Sequence, residues 1–473
     1  MILFRYFLMN YINHYINQII CGNCLEVMKT MPDNCVDTII TDPPYGLKFM
    51  GKKWDYDVPS IEIWQECLKV LKPGGTALIF AGSRTQHRMA VNVEDAGFIL
   101  KDCIMWIYGS GFPKASDISK QIDKKAGKKR KILGYEERFG REGRKANCGF
   151  KKEYIGASGT QDQPAMKAIE EPATPEAILW NGWKSHGLKP AYEPILICMK
   201  PNEGSYANNA LKWGVAGLNI DGGRIKYEKE DAKKAEKKNL SFKKAKRECI
   251  FSPKGKLLGD FDSKGRYPAN VIHDGSDEVV GLFPNTGTSY RPNSRRGKIK
   301  SEIYMNGIVR DGYPTAIGVN DSGSASRFFY CAKASKSERN GGCEGLPDIL
   351  SSDNKALKRI CKKCGKRAFS GTKEQIQYRC QCINPEWETI ETDGKRYVVK
   401  NNHPTVKPLA LMKYLCTLTK TPTGGIVLDP FCGSGTTLMA CKGLKRDYIG
   451  IDNKPEYCEI ARRRVNAIPE SLF

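Results

Sequence analysis

The sequence predicts an α/β protein whose one sheet is assembled from both ends of the chain. Residues 19–112 alternate short β-branched runs with amphipathic runs, and strands alternating with helices imply a parallel sheet. The same rhythm resumes after His403 and continues to the C-terminus. Between about 201 and 400 it is lost. Neither end has enough strands to close a doubly wound core by itself, so one shared sheet explains the pattern better than two half-domains.

The elements follow in order. Ile19–Cys21 and Val36–Thr41 read as strands. Pro59–Leu71 has helical spacing, with Ile61, Trp64, Cys67, Leu68 and Leu71 on one side. Lys72-Pro73-Gly74-Gly75 is expected to stop that helix, and Thr76–Ala81 to start a strand. His87–Gly97 reads as a helix and Phe98–Tyr108 as a strand. Residues 113–185 form a basic insertion, with 14 Lys/Arg against 5 Asp/Glu between Phe112 and Lys152. Residues 186–201 return a strand, Tyr192–Met199, to the core.

Residues 202–402 suit a recognition region of loops and short elements. Arg224–Arg266 carries 15 basic and 7 acidic residues. Trp213, Tyr267, Phe283, Phe328, Phe329 and Tyr330 supply aromatics that disordered segments usually lack. In 403–473, Leu409–Leu418, Thr436–Gly443 and Pro455–Val465 read as helices, Ile426–Leu428 and Tyr448–Ile451 as strands.

At 473 residues the chain has room for two or three units. A formal net charge of +24 favours a polyanionic partner, because Lys and Arg displace counterions from phosphates. The 18 cysteines are scattered and read as reduced thiols rather than a disulfide framework. Met1–Met9 is apolar but lacks a basic leader and is too short to span a bilayer. A soluble, cytoplasmic protein is expected, with Met1 or Met9 as its start.

Two strings carry the chemistry. Asp429-Pro430-Phe431-Cys432-Gly433-Ser434-Gly435-Thr436-Thr437 follows a strand and opens a helix. Its glycines allow a tight turn and close approach of a ligand to backbone. The spacing is neither that of the dinucleotide fingerprint nor that of a P-loop. Asp429 is placed to hold an ammonium group, and Asp452, ending the next strand, to accept from ribose hydroxyls. This acidic pair argues against a phosphate-bearing cofactor. It suits S-adenosylmethionine, which carries an ammonium, a sulfonium and a ribose.

Asp42-Pro43-Pro44-Tyr45 ends the strand Val36–Thr41. The prolines fix the backbone and remove two amide donors. The amine of a nucleobase is a weak nucleophile because its lone pair is delocalised into the ring. Asp42 and the Pro43 carbonyl, accepting from its two hydrogens, localise that pair. Tyr45 can stack on a base that has left the duplex. No Pro-Cys pair occurs, so the thiolate chemistry of carbon methylation is not indicated.

The chain resembles the amino-methyltransferases of DNA (the N6-adenine/N4-cytosine family), in the class with β motif order. The matching pieces are Asp42–Tyr45, His403–Pro408, Asp429–Thr437 and Gly450–Asp452, in the order of that class. The resemblance covers roughly 19–112, 186–201 and 403–473. It implies a circularly permuted, Rossmann-like methyltransferase sheet with a loop-rich target-recognition region between its halves. Asp42, Pro43, Pro44 and Tyr45 would act on the base. Asp429, Pro430, Phe431, Gly433, Gly435, Thr436 and Asp452 would line the S-adenosylmethionine site, with Thr405 and Lys407 nearby. Asn23 and Cys24 would border the cofactor adenine, though the family usually has Asp at the position of Asn23.

Asp at the head of the catalytic string suits adenine-N6; relatives acting on cytosine-N4 usually carry Ser. The resemblance implies duplex DNA as partner and, in restriction–modification pairs, a cognate restriction endonuclease. Monomer and dimer both remain open. Cytosine-N4 methylation, RNA methylation and a catalytically inactive DNA-binding relative are the alternatives.

Cys361-x2-Cys364 and Cys380-x-Cys382, within 361–382, have metal-ligand spacing. A structural Zn²⁺ is expected there, stapling a region without a large core. Cys21 and Cys24 share a two-residue gap but read as buried thiols. His14, His87, His186 and His273 show no evident partners in the sequence.

Overall fold

A computed structural model describes residues 12–47, 55–111, 115–137, 166–227, 264–286, 323–332, 338, 341–343, 349–350, 356–361, 387–392, 398–399, 401, 403 and 405–469. Contacts divide the chain into two compact units. The first comprises 1–111, 190–343 and 403–473, the second 112–189 and 344–402.

The strands, in chain order, begin with β1 (Gln18–Cys21), β2 (Val36–Thr41), β3 (Leu71–Phe80), β4 (Ile99–Ile107), β5 (Lys131–Glu137), β6 (Met166–Glu171), β7 (Tyr192–Met199) and β8 (Val271–His273). They continue with β9 (Asn285–Thr286), β10 (Gly323–Ser324), β11 (Tyr330–Cys331), β12 (Ile349–Leu350), β13 (Ala356–Cys361), β14 (Trp387–Thr392), β15 (Val398–Val399), β16 (Val427–Asp429) and β17 (Tyr448–Asp452). The first unit is built on a nine-stranded sheet of order β1-β17-β16-β2-β3-β7-β4-β8-β11. In the second unit β5 pairs with β6, β12 with β15 and β13 with β14, each antiparallel.

Every neighbouring pair in the large sheet is parallel except those made by β7, which runs against both β3 and β4. The sheet is therefore mixed, where the alternation of elements implied a parallel one. The chain leaves the first unit at the end of β4 and re-enters at β7, its direct neighbour, so the two pair like the arms of a hairpin.

Both faces of the sheet are covered, which is why its strands are near-continuous apolar runs. Ile40, Leu78, Phe80, Ile195 and Ile197 belong to the face packed by the helices Leu409–Leu418 and Thr436–Gly443. Ile39, Ile79, Leu196 and Cys198 belong to the other, packed by Ile61–Val70 and Gln86–Asp95. The helix Ile61–Val70 buries Trp64, Cys67 and Val70 and runs straight into β3 at Leu71. Lys72–Gly75 then bulge out of the ladder, which pairs Leu71 with Val36 and resumes at Thr76 opposite Thr38. The Lys200 ammonium takes the carbonyls of Leu68 (2.7 Å) and Leu71 (2.8 Å) at the helix end, and Gly74 absorbs a φ of +72°.

The two chain ends meet at β2 and β16. Asp37 binds the Lys72 ammonium at 2.7 Å and accepts from the Ile426 amide at 2.7 Å. The Arg446 guanidinium donates to Thr38 Oγ1 and the Cys416 carbonyl. One sheet built from both ends is what the sequence led us to expect. The stretch read as a recognition region of loops and short elements contributes β8, β11 and the helix Tyr206–Trp213 to the first unit. No helix among the described residues is long and apolar enough to cross a membrane.

Leu78 is fully buried at the centre of this sheet. Leu78→Ala is expected to cost about 3 kcal/mol of stability, the typical sum of lost transfer free energy and cavity formation. A denaturant titration checks this; a loss below about 1 kcal/mol would show that the site collapses around the gap.

Candidate active site

Ligands of open α/β sheets bind outside the carboxyl ends of the strands. Here β2 and β16 are parallel neighbours, so the strings Asp42–Tyr45 and Asp429–Thr437 leave the sheet side by side. Thr41 Oγ1 donates to Asp429 Oδ1 at 2.8 Å and ties the two strand ends together.

Past β2 the backbone turns around a carboxylate. Asp55 is buried and accepts from the amides of Tyr45 (2.8 Å), Gly46 (3.0 Å) and Leu47 (3.2 Å). Thr85 Oγ1 holds the Tyr45 carbonyl at 2.6 Å. Gly82 leaves room beside the Tyr45 ring, where an added Cβ would sit 3.2 Å from it. The hydroxyl of Tyr45 is thus aimed by fixed backbone. It donates to Asp42 Oδ1 at 2.6 Å and lies 3.2 Å from Glu193 Oε2.

Lys407 closes this cluster. Its ammonium lies 2.8 Å from Asp42 Oδ2, 3.0 Å from Glu193 Oε2 and 3.1 Å from the Tyr45 hydroxyl. It also sits over the rings of Phe80 (5.0 Å) and Tyr45 (5.4 Å), a cation–π arrangement. Burial works against this charge, but Asp42 and Glu193 outweigh it and hold the Lys407 pKa above the usual lysine range. Burial and the same two carboxylates push the Tyr45 phenol well above its ordinary value.

The glycine turn is built from the other side. Gly433 and Gly435 have φ of +50° and +77°, which a side chain would strain. A Cβ on Gly433 would meet His403 Nε2 at 2.6 Å. The Arg464 guanidinium holds the Ser434 carbonyl (2.6 Å) and Thr436 Oγ1 (3.2 Å). Asp452 accepts from the amides of Gly433 (3.0 Å) and Lys454 (2.9 Å), and burial raises its pKa. With about four acceptor sites on a carboxylate, two remain for a ligand. Asn23 lies beside Asp452 because β1 pairs with β17, Cys21 opposite Asp452. Its side-chain oxygen caps the helix Cys24–Lys29 by accepting from Leu25 N at 2.9 Å. Cys24 is buried, and its thiol is pushed up to about 11.

Asp429 is only 2% exposed. Besides Thr41 it accepts from Thr437 Oγ1 (2.6 Å) and the Phe431 amide (3.2 Å). Burial raises its pKa to about 7 in spite of these donors, and Asp42 adds to the rise. His403 is pushed down to about 4 by burial, which keeps its imidazole neutral at physiological pH.

The structure therefore brings Asp42, Tyr45 and Lys407 into direct contact, sets Asp429, Phe431, Gly433, Gly435 and Thr436 on the adjoining turn, and hydrogen-bonds that turn to Asp452 at the end of β17. Pro43 is buried in the catalytic turn and Pro44 half-buried; Pro430 is buried beside Phe431. Thr405 differs: its side chain is exposed, and only its carbonyl is engaged, by His403 Nδ1 at 2.7 Å. Cys21 is exposed, not buried as expected. Cys364, Cys380 and Cys382 lie outside the described residues, and Cys361 is placed only as the end of β13. No group of three or more metal-ligating side chains occurs among the described residues.

Sequence reasoning missed Glu193, Asp55 and Arg464. Glu193 stands second in an otherwise apolar strand, Tyr192–Met199, and that isolated charge was the available signal. Asp55 and Arg464 offer none, since each acts through a fold-dependent contact.

A carboxylate, a phenol and an ammonium thus gather beside a glycine turn, at the carboxyl edge of the mixed sheet of an α/β protein. Residues 36–463 match the sequence family of DNA methylases, N6_N4_Mtase, and the chain belongs to that family. The type II methyltransferase M.HpaI of Haemophilus parainfluenzae is 35% identical over 114 residues, covering 22% of this chain and 36% of that protein. The type II methyltransferase M2.DpnII of Streptococcus pneumoniae is 48% identical over 69 residues, 15% of this chain and 25% of that protein. These matches span only a quarter to about a third of the relatives' length. The cytosine-N4-specific PvuII DNA methyltransferase aligns with 94% of this chain and 85% of its own, at 11% identity and a TM-score of 0.38.

The raised pKa of Asp429 has a sign that can be tested. Its carboxyl ionises near 3.8 when unfolded and near 7 when folded. Between those values the folded state holds a proton that the unfolded state has released, so stability declines as pH rises from 3.8 to about 7 and then levels. Asp429→Asn removes this titration. Melting temperatures from pH 5 to 8 are expected to fall less steeply in the variant; equal slopes would overturn the assignment.

Proposed function

We propose that this chain transfers a methyl group from S-adenosylmethionine to the N6 amino group of adenine in duplex DNA, taken out of the helix. The observation that carries the reading is the Asp42–Tyr45–Lys407 cluster, fastened by Thr41 to the turn that begins at Asp429.

The residues present fit the cofactor. The acceptor sites of Asp452 beyond its two amide bonds and the carboxyl of Asp429 suit ribose hydroxyls and an ammonium. When bound, S-adenosylmethionine supplies an electrophilic methyl carbon on a sulfonium. Asp42 and the Pro43 carbonyl accept from the two hydrogens of the target amine and concentrate its lone pair on nitrogen. The nitrogen held there would take the methyl carbon, and sulfur would keep the bonding pair. Positive charge passes to the nitrogen, which sheds a proton to Asp42 and then to solvent. Asp at the head of the string supports adenine over cytosine.

Duplex DNA as partner is supported by charge. In the second unit, Lys120, Lys124, Lys125, Lys128, Lys129 and Lys131 are exposed on the helix Ile118–Lys125 and the segment after it. Trp183, 61% exposed, and Trp180 form an edge-to-face pair 5.5 Å apart in the same unit. Phosphate-binding lysines with exposed aromatics are the composition of a nucleic-acid surface.

Incubation with tritiated S-adenosylmethionine and DNA from a methylation-free host, followed by nucleoside analysis, tests the reaction. Label is expected in N6-methyladenine. Label in N4-methylcytosine would keep the mechanism and replace the base, and none in any nucleoside would overturn the reading. Asp42→Ala is expected to lower transfer by roughly 10³-fold or more while retaining DNA binding, in the range of losing a positioned acid–base group.

The lysines make a separate prediction. Replacing Lys124, Lys128 and Lys129 by Gln is expected to weaken DNA binding and reduce the slope of log K against log salt by about 1 for each phosphate no longer neutralised. An unchanged slope would exclude the end of this helix and the segment after it from the interface.

A further inference from the structure

In this arrangement both oxygens of Asp42 are already occupied. Oδ1 accepts from the Tyr45 hydroxyl at 2.6 Å, and Oδ2 faces the Lys407 ammonium at 2.8 Å. A target amine needs one of them. Of the groups in the cluster, Glu193 alone can receive the displaced donors without a large movement. Its Oε2 is already 3.0 Å from the ammonium and 3.2 Å from the hydroxyl, while its Oε1 is held by the Tyr108 hydroxyl at 3.4 Å.

Charge points the same way. Two carboxylates and one ammonium leave the cluster with a formal net charge of minus one. Without Glu193 it would be neutral, with an ammonium facing the nitrogen on which positive charge develops. Electrostatic stabilisation is greatest where fixed charge opposes the charge that appears in the transition state. Glu193 reaches this edge because β7 is the reversed strand. Its start, not its end, lies at the carboxyl ends of its neighbours, with Glu193 opposite Trp106.

We propose that Glu193 is a positioning residue for methyl transfer: it takes Lys407 and the Tyr45 hydroxyl off Asp42 as the amine enters, and keeps the field at the reacting nitrogen negative. This inference rests on the reading of the site as a methyl-transfer centre. Lys407 then spends the reaction paired to Glu193 over the Phe80 ring.

The test is a double-mutant cycle on the full chain, with Glu193→Gln and Lys407→Met alone and together. Substrates are tritiated S-adenosylmethionine and DNA from a methylation-free host. Glu193→Gln is expected to lower the single-turnover rate about 10- to 100-fold, the scale of one misplaced electrostatic group, with cofactor affinity within about twofold of wild type. In the Lys407→Met background it is expected to cost several-fold less, because the ammonium it steers is gone and only the Tyr45 hydroxyl is left for it to take up. Glu193→Asp, which keeps the charge, is expected to recover most of the rate. Equal losses in both backgrounds, or a full rate in Glu193→Gln, would overturn the proposal.

A second readout needs no transfer: binding of free 2′-deoxyadenosine to protein loaded with S-adenosylhomocysteine, followed by NMR. Glu193→Gln is expected to weaken it about tenfold in the wild-type background and not in Lys407→Met. That pattern in a wild-type protein that labels no DNA would overturn the methyl-transfer reading while leaving Glu193 as the group that steers Lys407 when a nucleoside enters. Equal nucleoside affinity in all four proteins would overturn the proposal alone.

Discussion

The parallel pairing of β2 with β16 is the contact on which the rest depends. It joins residues almost 390 positions apart, and the Thr41–Asp429 hydrogen bond marks the point where the two halves share a site. Closing so long a loop is entropically unfavourable, but the cost grows only logarithmically with length. The buried anchors beside the pair then act locally. Asp37 binds Lys72 and the Ile426 amide, and Arg446 binds Thr38 and the Cys416 carbonyl. Each takes a group from one half of the chain and a partner from the other, so slippage by one residue would leave buried charges unpaired.

Given that pairing, the reversed strand follows from connectivity rather than from propensity. The chain departs at the end of β4 and returns beside it, so the returning strand has to run the other way. The consequence is chemical. A strand whose start lies at the carboxyl edge can deliver a side chain there directly, and Glu193 is that side chain. Parallel strands reach the same edge only through the loops that follow them, as Asp42 and Asp429 do.

What was legible in the sequence followed segment length and local signal. Val36–Thr41, Tyr192–Met199 and Leu409–Leu418 were readable because six to ten residues of uniform pattern outweigh competing preferences. β8 and β11 have three and two residues, too few for a period to show, and their membership of the core sheet depends on neighbours supplied by β4. The breakers Lys72–Gly75 were legible: the helix ends at Val70, and regular pairing with β2 waits until Thr76, with Gly74 in the left-handed region between them. In the site, Asp42, Tyr45, Gly433 and Gly435 stood in local strings. Glu193 and Asp55 did not, because a single charge in a strand or loop reads as solvated until the fold shows what it faces.

The two strings begin alike, Asp-Pro in each, and their environments separate them. Asp42 meets a lysine ammonium and a phenol, and both of its oxygens lie where an incoming group can compete for them. Asp429 meets only neutral donors, two threonine hydroxyls and an amide, in a nearly dry setting that pushes its pKa to about 7. Neutral hydrogen bonds offset part of the desolvation of a carboxylate but do not neutralise its charge. A cationic group beside Asp429 would, and the carboxyl would then ionise with release of its proton. Two carboxylates of like sequence context thereby sit in different surroundings, one beside a lysine ammonium and one among neutral donors. The hydrogen bond from Thr41, the residue just before Asp42, joins the two settings directly.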